Sequence, residues 1–117
     1  MTNPLKIVAV TACVTGVAHT YMAAEQMKKE FKKHGYNLKV ETQGVLGSDY
    51  TITDSDVEQA DIIILTKDID IVDKERFDGY YRVIKVGIKD IMMDIEKVIH
   101  AINKLSHLSK GHTLEIL

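Results

Sequence analysis

Cysteine is all but absent from this chain. The one it has, Cys13, cannot form a disulfide within its own molecule. That excludes a disulfide-stapled secreted scaffold and makes a reducing cytoplasm the expected compartment. An excess of one charge is also lacking: Lys and Arg number 15 against 17 Asp and Glu, a formal net charge of −2. The basic residues are scattered, which leaves no footprint for nucleic acid and no lysine-rich face for a membrane surface. No apolar run approaches the roughly 20 residues of a membrane helix. The opening MTNPLK has neither the n-region nor the h-region of a signal peptide. Repeats, linkers and low-complexity stretches are missing as well.

What is present is ordinary for a globular protein: 117 residues, 45% hydrophobic and 27% charged, enough for one domain with a proper core. Strand and helix signals alternate. LKIVAVT (5–11) reads as a strand buried on both faces, followed by an amphipathic helix over 18–35 with Ala23, Ala24, Met27 and Phe31 inward. Lysines crowd the last turn of that helix and Gly35 closes it. NLKVET (37–42), DIIILT (61–66) and RVIKV (82–86) supply three more strands. Between them lie a glycine-bearing loop (43–51), a short helix capped by Asp54 and running through Gln59, and a helical turn near Asp73 to Phe77. A final helix from Ile88 to about His107 carries the stripe Ile91, Ile95, Val98, Ile99, Ile102 and Leu105. The pattern implies βαβ units: a four-stranded parallel sheet, order 2-1-3-4, with helices on both faces in a three-layer, flavodoxin/Rossmann-like arrangement. Residues 1–106 form the domain, and the tail 107–117 is expected to be loosely held.

In such a sheet the ligand crevice opens at the carboxyl ends of the strands, beside the switch in strand order. Cys13 sits there, at the start of the loop between the first strand and the first helix. A glycine-containing turn at a helix N-terminus aims several N–H groups at one spot and adds the dipole's partial positive charge, which makes an anion cradle. Such a cradle favours the thiolate form of a cysteine within it. Thiolate and cradle together point to a cysteine that attacks a phosphoryl group and holds it as thiophosphate. Thr15 and Thr20 offer hydroxyl donors, Gly16 permits close approach, and His19 either faces the phosphate or stands in solvent in the first helical turn. Cys13 and His19 also read C-x5-H-T, one residue away from the C-x5-R-[ST] signature of cysteine phosphatases. Histidine cannot supply the arginine's bidentate grip, and hydrolysis would need a general acid and a positioned water. The loop therefore favours a carrier that receives and passes on phosphate over a hydrolase.

These residues resemble a known family. TACVTGVAHTYMAAE (11–25) is similar to the active loop of the B component of fructose-type enzyme II in the bacterial phosphoenolpyruvate-dependent sugar phosphotransferase system. The likeness extends through VETQG (40–44) and ADIIILTKDIDIVDKERF (60–77) into the last helix, covering about the first 105 residues. The resemblance implies that Cys13 is phosphorylated by a phosphohistidine of the A component. It implies that the group then passes to a sugar, with fructose favoured, as the membrane-embedded C component imports it. It also implies a phosphate-binding loop of Val14, Thr15, Gly16, Val17, Ala18, His19 and Thr20, with no metal and no organic cofactor. The protein would be cytoplasmic, recruited to the inner face of the membrane through the C component. One departure is visible: the family usually has proline after the cysteine, where this chain has Val14, and valine restores an N–H donor and loosens the turn.

Other constellations weigh less. DIDIV (68–72) mimics the D-x-D-x-[TV] nucleophile motif of aspartate-based phosphatases, but the chain is too short for that fold's later motifs, and solvated loop carboxylates explain it. Arg76 with Phe77 reads as packing or docking, and ETQG (41–44) as a turn lining one side of the crevice. His34, His100, His107 and His112 share no ligand spacing with Cys13, which argues against zinc. Val14, Val17 and Tyr50 are candidate apolar contacts for a docking partner. Two rival readings are a low-molecular-weight cysteine phosphatase and a non-catalytic regulatory binding domain.

Overall fold

The first apolar run forms strand β1 (Lys6–Ala12), in which every residue after Lys6 is buried. β-Branched side chains on both faces suit a central strand covered on two sides. The computed structural model describes residues 4–13, 17–44 and 47–117, with the backbone alone for Val17 and Ala18. After β1 come helix α1 (Val17–Lys33), strand β2 (Asn37–Gly44), strand β3 (Gly47–Asp49), helix α2 (Asp54–Gln59) and strand β4 (Ile62–Thr66). A 3-10 turn (Lys74–Phe77), strand β5 (Val83–Val86), helices α3 (Ile88–Met93) and α4 (Ile95–Ser106), and strand β6 (Thr113–Glu115) follow.

The fold is mixed α/β, but the sheet has six strands instead of the expected four, and its order is β3-β2-β1-β4-β5-β6 instead of 2-1-3-4. The inner strands β2, β1, β4 and β5 are mutually parallel, while β3 runs antiparallel to β2 and β6 parallel to β5. Both added strands are three-residue edges, GSD and TLE, too short and too polar to show an alternating pattern. β3 lies within the stretch read as a loop; Gly44 stands opposite Gly47, whose φ of +109° only glycine adopts readily. β6 draws the supposedly loose tail into the sheet. Val83 N–H donates to His112 O (3.0 Å), Ile116 N–H to Lys85 O (2.8 Å) and Lys67 Nζ to Ile116 O (2.6 Å).

Strand alternation divides the core in two. Ile7, Ala9, Val40, Ile62, Ile64, Ile84 and Val86 face α1, α3 and α4. Val8, Val10, Ala12 and Ile63 face the other way, against Val57 of α2, Phe77 of the 3-10 turn and Ile71. Helices thus cover both faces. At the end of α1, Tyr36 N–H returns to Phe31 O (3.0 Å) past Gly35 at φ +74°, and the two rings meet edge to face at 5.7 Å.

The single helix expected from Ile88 to His107 is two. Asp94 breaks it with φ −149° and ψ 60°, and its N–H closes α3 on Asp90 O at 2.9 Å. The buried stripe Ile91, Ile95, Val98, Ile99, Ile102 and Leu105 continues across the break, so periodicity alone could not reveal it. The cap of α2 also differs from expectation. Thr53, not Asp54, is the N-cap: its Oγ1 accepts from Asp56 N–H (3.1 Å), and Asp56 Oδ2 accepts from Thr53 N–H (2.9 Å). Lys39 is hydrogen-bonded to the same carboxylate and, with the Thr53 N–H, holds the Asp56 pKa down at about 2. Thr53→Ala is expected to lower stability by about 1 kcal/mol. Urea unfolding would show the shift, and an unchanged midpoint would mean the cap is replaced by water.

Candidate functional site

The carboxyl end of β1 is fastened on both sides. Ala12 N–H donates to Thr66 Oγ1 (2.9 Å), tying β1 to the end of β4, and Thr11 Oγ1 donates to Thr20 O (3.1 Å), tying it to the first turn of α1. Thr11, Thr20 and Thr66 are all buried. Cys13 follows directly, half-buried, with a free thiol packed against the core face that α1 and α3 share. The side chain therefore leaves the sheet at a point that three hydroxyl residues hold in place.

Cys13 opens into a cleft of about 340 Å³ whose other lining residues are His19, Asp68, Ile88, Lys89, Met92 and Met93. Three separate crossovers contribute: α1 brings His19, the segment after β4 brings Asp68, and α3 brings the rest. Asp68 is fixed by accepting Ile88 N–H on Oδ1 at 2.9 Å, which pins the start of α3 beside the end of β4. The cleft is mostly apolar, with charge only at Asp68, Lys89 and, when protonated, His19. Such a site can present the sulfur to a partner's group across a rim on which His19, Lys89 and Met93 are exposed.

Of the expected site residues, the structure brings Cys13 and His19 into one cleft and leaves His19 exposed there. Thr20 packs behind them. Val14, Thr15 and Gly16 lie outside the described residues, and Val17 and Ala18 open the backbone of α1. Tyr50 is exposed on the β3 side, where the Lys28 ammonium lies 5.8 Å from its ring centre. Asp68 of the D-x-D motif serves as an anchor for α3. Lys89, Met92 and Met93 escaped the sequence reading. The signal available was positional, since α3 follows the carboxyl end of β5, the same end of the sheet as Cys13. Among the described residues no three His, Cys, Asp or Glu side chains converge as metal ligands.

A second polar cluster lies on the opposite face of the sheet. Glu41, 1% exposed, receives Arg76 Nη1 on Oε1 (2.6 Å) and Nη2 on Oε2 (2.9 Å). Ile52 N–H (2.7 Å) and Gln43 Nε2 (2.6 Å) complete its shell. Burial pushes the Glu41 pKa up, but the hydrogen bonds from Arg76, Gln43 and Ile52 outweigh it and leave the carboxyl below its usual range. Arg76 also donates to the carbonyls of Ile52 (2.8 Å), Val72 (3.0 Å) and Asp73 (2.8 Å), and Gln43 exchanges two hydrogen bonds with the Val72 backbone (2.9 and 3.1 Å). ETQG is thus more than a turn. It is one half of a lock that fixes the loops after β3 and β4.

The chain matches known proteins over most of its length. A model of the family described as "PTS system, Lactose/Cellobiose specific IIB subunit" matches residues 8–101. The PTS system fructose-like EIIB component 2 of Escherichia coli (strain K12) is 46% identical over 105 residues, which is 90% of this chain and 96% of that protein. The PTS system fructose-specific EIIB'BC component of the same strain is 39% identical over 114 residues, 95% of this chain but 20% of that longer protein. Among solved structures, a crystal structure of a predicted fructose-specific IIB from Escherichia coli superposes with a TM-score of 0.91 at 35% identity. It covers 97% of this chain and 99% of its own. A domain of a fructose-specific IIABC component from Borrelia burgdorferi gives a TM-score of 0.78 at 44% identity, with 86% and 95% covered.

Proposed function

The chain belongs to the family of phosphotransferase-system IIB subunits, and we propose on that premise that Cys13 is the residue on which it carries phosphate. Its place is that of a fructose-type EIIB component in sugar phosphotransfer. The donor is a phosphohistidine of an A component. The Cys13 sulfur attacks phosphorus in line; the S–P bond forms as the N–P bond breaks, and the thiol's proton ends on the released imidazole nitrogen. In the second transfer a sugar hydroxyl oxygen takes the phosphoryl group, the S–P bond breaks, and the hydroxyl proton returns to sulfur. Both steps pass through a loose, metaphosphate-like transition state whose charge the loop N–H groups of residues 14–20 and the start of α1 stabilise.

The acceptor side is a membrane C component. This agrees with the fused EIIB'BC relative and with a chain in which no described helix is long and apolar enough to cross a membrane. The reaction takes place at the cytoplasmic face. Fructose is the proposed sugar because the relatives aligned along the chain carry that name, although the family description names lactose and cellobiose. The phosphotransfer unit extends beyond residue 106, since β6 closes one edge of its sheet.

The observation that carries this reading is the placement of Cys13 at the carboxyl end of β1, at the mouth of a cleft with no arginine in its lining. The chain's two arginines are engaged elsewhere: Arg76 with Glu41 on the far face, and Arg82 through Nε with Leu108 O at 2.7 Å. That favours a carrier over a cysteine phosphatase, which depends on an arginine around its phosphate. The test is intact-mass spectrometry after incubation with phosphoenolpyruvate, the general phosphotransferase proteins and a fructose-type A component. A single added phosphoryl group is expected, and its absence beside a demonstrably phosphorylated A component would overturn the reading.

A further inference from the structure

A phosphoryl group brings a charge of about −1.5 to −2 to the atom that receives it. Here the receiving sulfur lies in a mostly apolar cleft that already contains Asp68. Loop N–H groups and the start of α1 offset part of that charge, and a cation beside the sulfur would offset more of it. The arginines are engaged away from the cleft, and His19 is cationic only when protonated. We infer that Lys89, on the first turn of α3, is the charge-neutralising residue for the phosphoryl group on Cys13, an inference that rests on the phosphocarrier reading above.

Lys89 lines the same cleft as Cys13 and is exposed at its edge, and no described residue forms an ion pair with its ammonium. Its backbone is held where it is needed. Asp68 accepts the N–H of Ile88, the neighbouring residue, at 2.9 Å, so the root of the lysine is fixed beside the cleft that its side chain lines together with Cys13. Of the remaining lining side chains, Ile88 is buried and Met92 half-buried, and an ion pair formed against them is stronger than one in open water. As the S–P bond forms and the donor's N–P bond breaks, Lys89 makes and breaks no covalent bond and keeps its proton. A lysine also suits a carrier. It attracts phosphate as a compact point charge without the bidentate grip of arginine, so the group is held without being trapped.

The test follows phosphoryl uptake from a phosphorylated fructose-type A component by intact mass over time. It compares wild type, Lys89→Arg, Lys89→Gln and Lys89→Glu, with thermal midpoints confirming that each variant folds. Lys89→Gln is expected to lower the maximal rate about tenfold and Lys89→Glu about a hundredfold, while Lys89→Arg keeps most of it. The gap should narrow as salt rises. A wild-type rate in Lys89→Gln, or a loss confined to KM for the A component, would overturn the inference while leaving the carrier reading standing. A wild type that takes up no phosphate would overturn both.

Discussion

Cys13→Ser is expected to take up no phosphoryl group from a phosphorylated A component, while unfolding in urea within about 0.5 kcal/mol of wild type. The substitution exchanges sulfur for oxygen at a half-buried position with no disulfide to lose. Folding should therefore hardly notice it. The chemistry should fail outright. A serine hydroxyl is a weak nucleophile without an adjacent general base. The cleft offers His19, which is exposed and has no described carboxylate partner to orient it, and Asp68, which is already engaged by the Ile88 N–H. Intact mass reads uptake, and urea unfolding reads integrity. A serine variant that still gained one phosphoryl group would place the carrier elsewhere on the chain. One that failed to fold would mean that Cys13 is a packing residue first.

Arg76→Leu should be the most damaging single change on the far side of the sheet, costing about 3 kcal/mol, the lower end for breaking a buried ion pair because Arg76 is itself a tenth exposed. It removes two bonds to Glu41 and three to backbone carbonyls, and leaves a carboxylate that is 1% exposed facing an apolar side chain. The pH dependence has a definite sign. In wild type the folded pKa of Glu41 lies below the ordinary 4.5. Its contribution is therefore present above that value and lost as pH falls through the folded pKa. In the variant, burial without the arginine raises the folded pKa, so the penalty is greatest at neutral pH and relieved on acidification. The stability gap between the two proteins should close as pH drops. A gap independent of pH would mean that lost packing, not an unpaired charge, is the cause. The double variant Glu41→Gln/Arg76→Leu should recover part of the loss.

The sequence was most readable where one local pattern determined the outcome. The β-branched runs in β1, β4 and β5 could hardly be anything but inner strands, and Cys13 with His19 sat in a motif whose position on the sheet followed from topology. It was least readable where the deciding partner was remote. Glu41 and Arg76 are 35 positions apart, and nothing near either residue shows that one will neutralise the other under a layer of loop. Asp94 interrupts a helix whose apolar stripe keeps its period. Lys89, Met92 and Met93 stood within that stripe's reading as members of a long amphipathic helix. Only the break at Asp94 makes α3 a short element of its own, and only the anchor on Asp68 sets its start beside the thiol.

The three-residue lengths of β3 and β6 have a consequence for life in a crowded cell. An open sheet ends in rows of unpaired N–H and C=O groups, and a long flat row invites the strand of another molecule to add to it. Here the outermost rows are three residues each, and most of their side chains are polar or exposed. A second copy stacking edge to edge would gain only a handful of hydrogen bonds and would bury little apolar surface. Short, polar edges of this kind disfavour edge-to-edge pairing between copies.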